Sequence, residues 1–353
     1  MGHHPRMSSF PSRPSSAPTT APAPPAPVRP QGRVHALDAL RGFALCGIIF
    51  VNIPQTLDMM PVLGDAPEVL RLFVVGRFYP IFFLLFGVGF GLFLRSAAKR
   101  TDRPRPLLVR RLVALGVVGA LHHLLQPGEV LLPFAVTGLL VLLPLSFCSG
   151  RVNLVVGLLL TVLGLVAGVG GLGLLPGLFV LGFAFAQLGV ATRLPERTTA
   201  LVVSSVVAAV VAAGSYWVVV HSGAAEGVTR RVGLLFSFSM AAAYAAAFLA
   251  LLAVPVLGSA LTALLAPLGR LALTNYLSAT LLFVALGTAL GLPGSSHWAV
   301  ATALGAGILL AQAAWSPLWT RHFRYGPAEW AWRCVTYWRW LPARVAPADG
   351  ASR

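Results

Sequence analysis

The sequence predicts an all-α, polytopic integral membrane protein with about ten transmembrane helices and cytoplasmic N- and C-termini. Three observations lead there. Hydrophobic residues fill 57% of the 353 positions and charged residues only 10%, where soluble domains carry about 25% charged. The apolar runs repeatedly reach the ~17–25 residues a helix needs to cross hydrocarbon. Of 26 basic residues, all but Arg71, Arg77, Arg230 and Arg231 fall in segments on one side of the alternation, the bias that marks the cytoplasmic face. The formal charge of +16 therefore reports membrane orientation and not affinity for nucleic acid.

Residues 1–32 are rich in Pro, Ala and Ser, lack an apolar core of signal-peptide length, and read as a disordered cytoplasmic tail. Apolar runs follow at 38–58, 72–94, 107–125, 129–147, 152–170, 174–192, 199–220, 232–254, 268–290 and 298–319. Residues 33–192 form an N-terminal bundle and 193–320 a C-terminal one. The last segment, 321–353, is cytoplasmic. In it Arg324, Trp330, Trp332, Arg333, Trp338 and Trp340 alternate cations with indoles, the composition of an anchor in the headgroup region. Cys46, Cys148 and Cys334 have no metal-like spacing and read as packing residues; no metal site is expected. No phosphate-binding loop, zinc-protease helix or nucleophile elbow is present.

Ionisable and amide side chains inside spans are costly in hydrocarbon, so each needs a reason. In the first span Asp38 and Arg41 are an i, i+3 pair. Asn52 lies eleven residues beyond Arg41, on the same face and about 16 Å deeper at ~1.5 Å per residue. The plain reading is a snorkelling ion pair and an interhelical amide; the functional one is a helix lining a polar path. The third span repeats the ladder, with His122 eleven residues beyond Arg111. Glu129 follows across the turn Gln126-Pro127-Gly128, a candidate orienter for a histidine base; an interfacial His122-His123 beside a loop carboxylate is the plainer reading. In the second span Tyr79-Pro80 opens the helix, and Gly87 with Gly91 forms a packing ridge. The ninth span places Arg270 at its inner end with Asn275 and Tyr276 inside.

These segments together resemble the YeiB family of bacterial membrane proteins. The resemblance runs through Asp38-x2-Arg41-Gly42-Phe43-Ala44-Leu45, Phe50-Val51-Asn52, Phe78-Tyr79-Pro80, Leu121-His122, Gly128-Glu129 and Gly269-Arg270-x-Ala-Leu-Thr274-Asn275-Tyr276. Phe323-x2-Gly326-Pro327-x-Glu329-Trp330-x-Trp332-Arg333 is similar to the family's C-terminal domain of unknown function. The first two motifs also resemble transmembrane acyltransferases of the heparan-glucosaminide N-acetyltransferase and sugar O-acyltransferase types. That resemblance implies transfer of an acyl group from cytoplasmic acyl-CoA to an envelope acceptor. The chain departs from both types. Asn52 stands where the sugar enzymes have a histidine, and residues 53–71 lack the loop histidine of the glucosaminide type. His122 is left as the candidate base.

Two functions follow. In an acyltransferase, Arg41, Arg111 and Arg270 hold the phosphates of acyl-CoA. Asn52 and Tyr276 then face the carbonyl oxygen, and His122 with Glu129 takes the acceptor's proton. Asp38, Tyr79 and Asn275 complete the candidate set. In a transporter or flippase the same polar face is a permeation path, although no internal repeat supports that class. The lipid bilayer is a partner in either case.

Overall fold

The computed structural model describes Met1 and residues 35–193 and 197–345; Met1 aside, the tail over 1–32 lies outside the described residues. The first helix, α1 (His35–Thr56), is the most enclosed of the long apolar helices. Pro54 sits in its last turn, where it forgoes only one helical bond. Next come α2 (Tyr79–Ala98), α3 (Pro104–His123), α4 (Leu131–Leu145), α5 (Gly150–Ala167) and α6 (Leu175–Gln187). The C-terminal half holds α7 (Thr198–His221), α8 (Glu226–Leu251), α9 (Pro255–Arg270), α10 (Ala272–Ala289), α11 (Trp298–His322) and α12 (Pro327–Tyr337). The described residues form no sheet; an isolated antiparallel bridge joins Phe323 to Arg344.

The all-helical expectation holds, with seven helices long and apolar enough to cross a membrane: α1, α2, α5, α7, α8, α10 and α11. The other three expected spans are weaker elements. In α3, Arg105, Arg110 and Arg111 lower the hydropathy, while α4 and α6 are short.

Two boundaries differ from the sequence reading. The expected span 72–94 begins only at Tyr79, because Gly76 takes a left-handed φ of +79° and Pro80 opens the helix. A short helix, Glu68–Phe73, precedes that turn. The second difference is larger. Residues 255–267, read as a connection, are most of α9, which ends in a break at Leu271 (φ −102°, ψ 27°) before α10 starts. Pro255 sets the start of α9 and its small residues fit it flush against α1. A methyl on Gly42 would collide with the Leu265 carbonyl, and one on Gly269 with the Asp38 carbonyl.

The core is built around α1, which packs on α2, α8, α9, α10 and α11 and so touches both halves of the chain. A second close crossing joins α2 to α6, where methyls on Gly87 or Gly182 would run into the carbonyls of Phe179 or Leu84. The α7–α8 hairpin flanks the bundle and turns a largely exposed valine face outward on α7. Across one end lies α12, packed on α3 and α10.

Candidate functional site

At that end α1, α3, α9 and α12 converge on one opening, and each contributes an arginine. Arg41, Arg111, Arg270 and Arg333 all line a cavity of about 220 Å³. Their helical positions explain the convergence. Residues 41, 45 and 48 of α1, and 108, 111, 112 and 115 of α3, are stripes at helical spacing that face the cavity. From α2 the stripe is 82, 85, 86, 89 and 90.

The mouth is fixed by hydrogen bonds and stacking. The Arg41 guanidinium donates to Asp38 Oδ1 at 3.1 Å. Arg111 lies 3.5 Å over the ring of Trp332 and 4.9 Å over Phe93, and its Nη1 is buried without a hydrogen-bond partner. Trp332 in turn donates its indole N–H to the Arg111 carbonyl at 2.8 Å. Glu329 of α12 accepts from the backbone N–H groups of Leu273 and Thr274 at 2.7 and 3.1 Å and from the Thr274 hydroxyl at 2.5 Å. It thus caps the exposed start of α10 created by the break at Leu271. Glu329, Trp332 and Arg333 are i, i+3 and i+4 on one face, so the segment read as an interfacial anchor closes one side of the cavity. That spacing was the available signal. Trp338 and Trp340 are exposed.

Inward of the arginines the wall is apolar, including Phe82, Phe86, Leu112, Leu115 and Phe134, until Tyr276 is reached. Behind Tyr276 is a buried polar cluster. The His122 ring lies 5.0 Å from the Tyr276 ring, centre to centre. His122 is 6% exposed and neither ring nitrogen has a hydrogen-bond partner; its Nδ1 is 4.0 Å from Glu129 Oε2, too long for a hydrogen bond. Glu129 accepts from the N–H groups of Leu131 and Leu132 at 2.6 and 2.8 Å, capping α4. The Tyr79 hydroxyl is 3.2 Å from both Asn52 Oδ1 and Gln55 Oε1. Gln126, almost fully buried, accepts from Thr280 at 2.7 Å. Gly128 reaches a φ of +84° so closely against Gln55 that a side chain there would collide with it.

The structure therefore gathers Arg41, Arg111 and Arg270 at the mouth, Tyr276 at the floor, and Asn52, Tyr79, His122 and Glu129 in or beside the cluster. Asp38 stays at the mouth, about 21 Å from Asn52 along α1 at ~1.5 Å per residue. Asn275 borders only a small void of about 10 Å³ beyond the floor. Its amide donates to Leu268 O and Ser316 Oγ and accepts from Trp315, which makes it a junction between α9, α10 and α11. Arg333, Glu329, Trp332, Gln55, Gln126 and Thr280 were not singled out by the sequence as site residues. For the two glutamines and Thr280 no local pattern marks them, since their partners are 24 or more positions away. Among the described residues no cluster of His, Cys, Asp or Glu could hold a metal.

Fold and site define a multi-pass helical membrane protein with an arginine-mouthed apolar cavity backed by a buried polar cluster. The family model described as "Protein of unknown function (DUF418)" matches residues 185–339. An uncharacterized 39.9 kDa protein from the amylase 3' region of Bacillus acidopullulyticus is 33% identical over 342 residues, 90% of this chain and 97% of its own. Uncharacterized protein YeiB of Escherichia coli K12 is 42% identical over 72 residues, 20% of this chain and 19% of its own. YxaH of Bacillus subtilis, also uncharacterized, is 33% identical over 129 residues, covering 31% and 32%. The chain belongs to the YeiB family. No solved structure matches it.

Proposed function

We propose that this protein is a transmembrane acyltransferase of the plasma membrane that moves an acyl group from cytoplasmic acyl-CoA to a hydroxyl or amine of an envelope acceptor. The topology that goes with it has ten spans, the weak elements α3, α4 and α6 included, both termini cytoplasmic, and the arginine mouth facing the cytoplasm. One observation carries the reading: a cavity leads from four arginines to Tyr276, and a buried, unpaired histidine lies directly behind that ring.

The chemistry assigned to these groups is as follows. The arginines hold the donor's phosphates by charge-assisted hydrogen bonds, for which guanidinium is the suited cation. His122 takes the proton from the acceptor as its oxygen or nitrogen attacks the thioester carbonyl, and Glu129 favours the resulting imidazolium by charge. The buried Tyr276 hydroxyl and the Asn52 amide donate to the carbonyl oxygen as it gains negative charge. The C–S bond then breaks and the coenzyme leaves as thiolate, which His122 reprotonates.

A transporter or flippase is the second reading, and the interruption between α9 and α10 at Leu271 is the feature on its side. The two part in one experiment. Acyl-CoA is expected to raise the Tm of the purified protein, the rise is expected to vanish in Arg41→Ala, and labelled acyl transfer is expected to vanish in His122→Ala. Uptake of a labelled solute with no response to any acyl-CoA would instead establish transport.

A further inference from the structure

Between the arginine mouth and Tyr276 no side chain of the cavity wall donates or accepts a hydrogen bond into the space; the wall is Leu, Ile, Val, Phe, Ala and Gly. A polymethylene chain asks for no hydrogen bond there, whereas buried polar atoms left unpaired are costly. The mouth is the opposite. Four arginines line it, Glu329 is engaged by the first N–H groups of α10, and Arg111 Nη1 is buried there with no hydrogen-bond partner.

A second observation concerns Gly89, in the middle of α2. Its neighbours Gly87 and Gly91 are needed for the crossing with α6, since a Cβ on either would collide with Phe179 or Ala186. On Gly89 a Cβ would meet nothing within 4 Å, and the residue lines the cavity. Glycine inside a helix is less favourable than alanine, and here no packing contact asks for it. What it leaves is open space in the cavity wall.

From these we propose that the cavity binds a single linear hydrocarbon chain bearing a phosphate-type anion, the chain running past Gly89 and the anion resting on Arg41, Arg111, Arg270 and Arg333. Scaled from a 150 Å³ apolar cavity that takes benzene, about 220 Å³ accommodates about nine carbon atoms. The proposal goes beyond acyl transfer and does not depend on it. Such an amphiphile would occupy the same arginines as acyl-CoA and compete with it.

The test is thermal stabilisation of the full chain held in an amphipathic polymer, which avoids detergent in the cavity. The probes are inorganic phosphate, monoalkyl phosphates of increasing length, alkanols of the same lengths, and coenzyme A. Alkyl phosphates are expected to bind about fourfold tighter per methylene, levelling off near nine carbons. Inorganic phosphate alone and the neutral alkanols are expected to bind far more weakly. Gly89→Leu is expected to shorten the optimum by about four carbons, the number its side chain adds; Gly89→Ala serves as the milder variant should leucine impair folding. Arg111→Gln with Arg333→Gln is expected to reduce alkyl phosphates to the level of the alkanols. Independence of chain length, equal stabilisation by inorganic phosphate or alkanol, or an unchanged optimum in both Gly89 variants overturns the proposal. Stabilisation by acyl-CoA with none by alkyl phosphate would overturn it while leaving acyl transfer standing; the reverse result would overturn acyl transfer alone.

Discussion

His122 is buried with both ring nitrogens unpaired, an arrangement that costs about 1–3 kcal/mol per unsatisfied group. Removing it relieves that cost and partly offsets the cavity left behind. His122→Ala is therefore expected to abolish transfer with a Tm close to wild type; turnover in that variant would exclude His122 as the base. Glu129 has two separable tasks. Its carboxylate caps α4 through Leu131 and Leu132, and it is the charge beside His122. Glu129→Ala should lose both, with a stability loss of about 1–2 kcal/mol. Glu129→Gln keeps one of the two accepting oxygens and turns an NH2 toward the other N–H, so its Tm should recover only part of the way while transfer stays low. Equal Tm values for the two variants would contradict the capping account.

Among the helices, close approach is set by glycines whose roles differ within one turn. Gly182→Ala forces a methyl into the Leu84 carbonyl across the α2–α6 crossing and is expected to cost about 1–3 kcal/mol. Gly89→Ala meets open space and is expected to stabilise by up to about 1 kcal/mol. Thermal melts of the pair check both signs. The break at Leu271 exposes the first N–H groups of α10, and Glu329 of α12 covers them. Glu329→Ala should uncap α10 and loosen α12, which limited trypsin digestion would register as faster cleavage after Arg333 and Arg339. An unchanged cleavage rate would mean that the Trp332 bond to Arg111 holds α12 by itself.

For the whole molecule, a reporter fused after residue 353 is expected to read cytoplasmic, as is one fused before residue 35; an external signal from the first would overturn the proposed topology. Composition and periodicity determined that this is a helical membrane protein, because ~20 apolar residues in hydrocarbon must satisfy their backbone within a helix. The eleven-residue spacings also determined that Arg41 and Asn52, and Arg111 and His122, share helix faces, since a helix fixes the angle between its own residues. What lies across those faces is a matter of packing. Only the tertiary structure decided that α1 sits at the centre, that α9 is a helix fitted to it through Gly42 and Gly269, and that Glu329, Trp332 and Arg333 close the arginine mouth. Only the structure separated Gly89, which faces empty space, from Gly87 and Gly91, which face backbone and side chain. The physical reason is the same throughout. Helix periodicity is local and survives in the sequence, whereas the partner of each face is chosen by contacts between segments that are far apart in the chain.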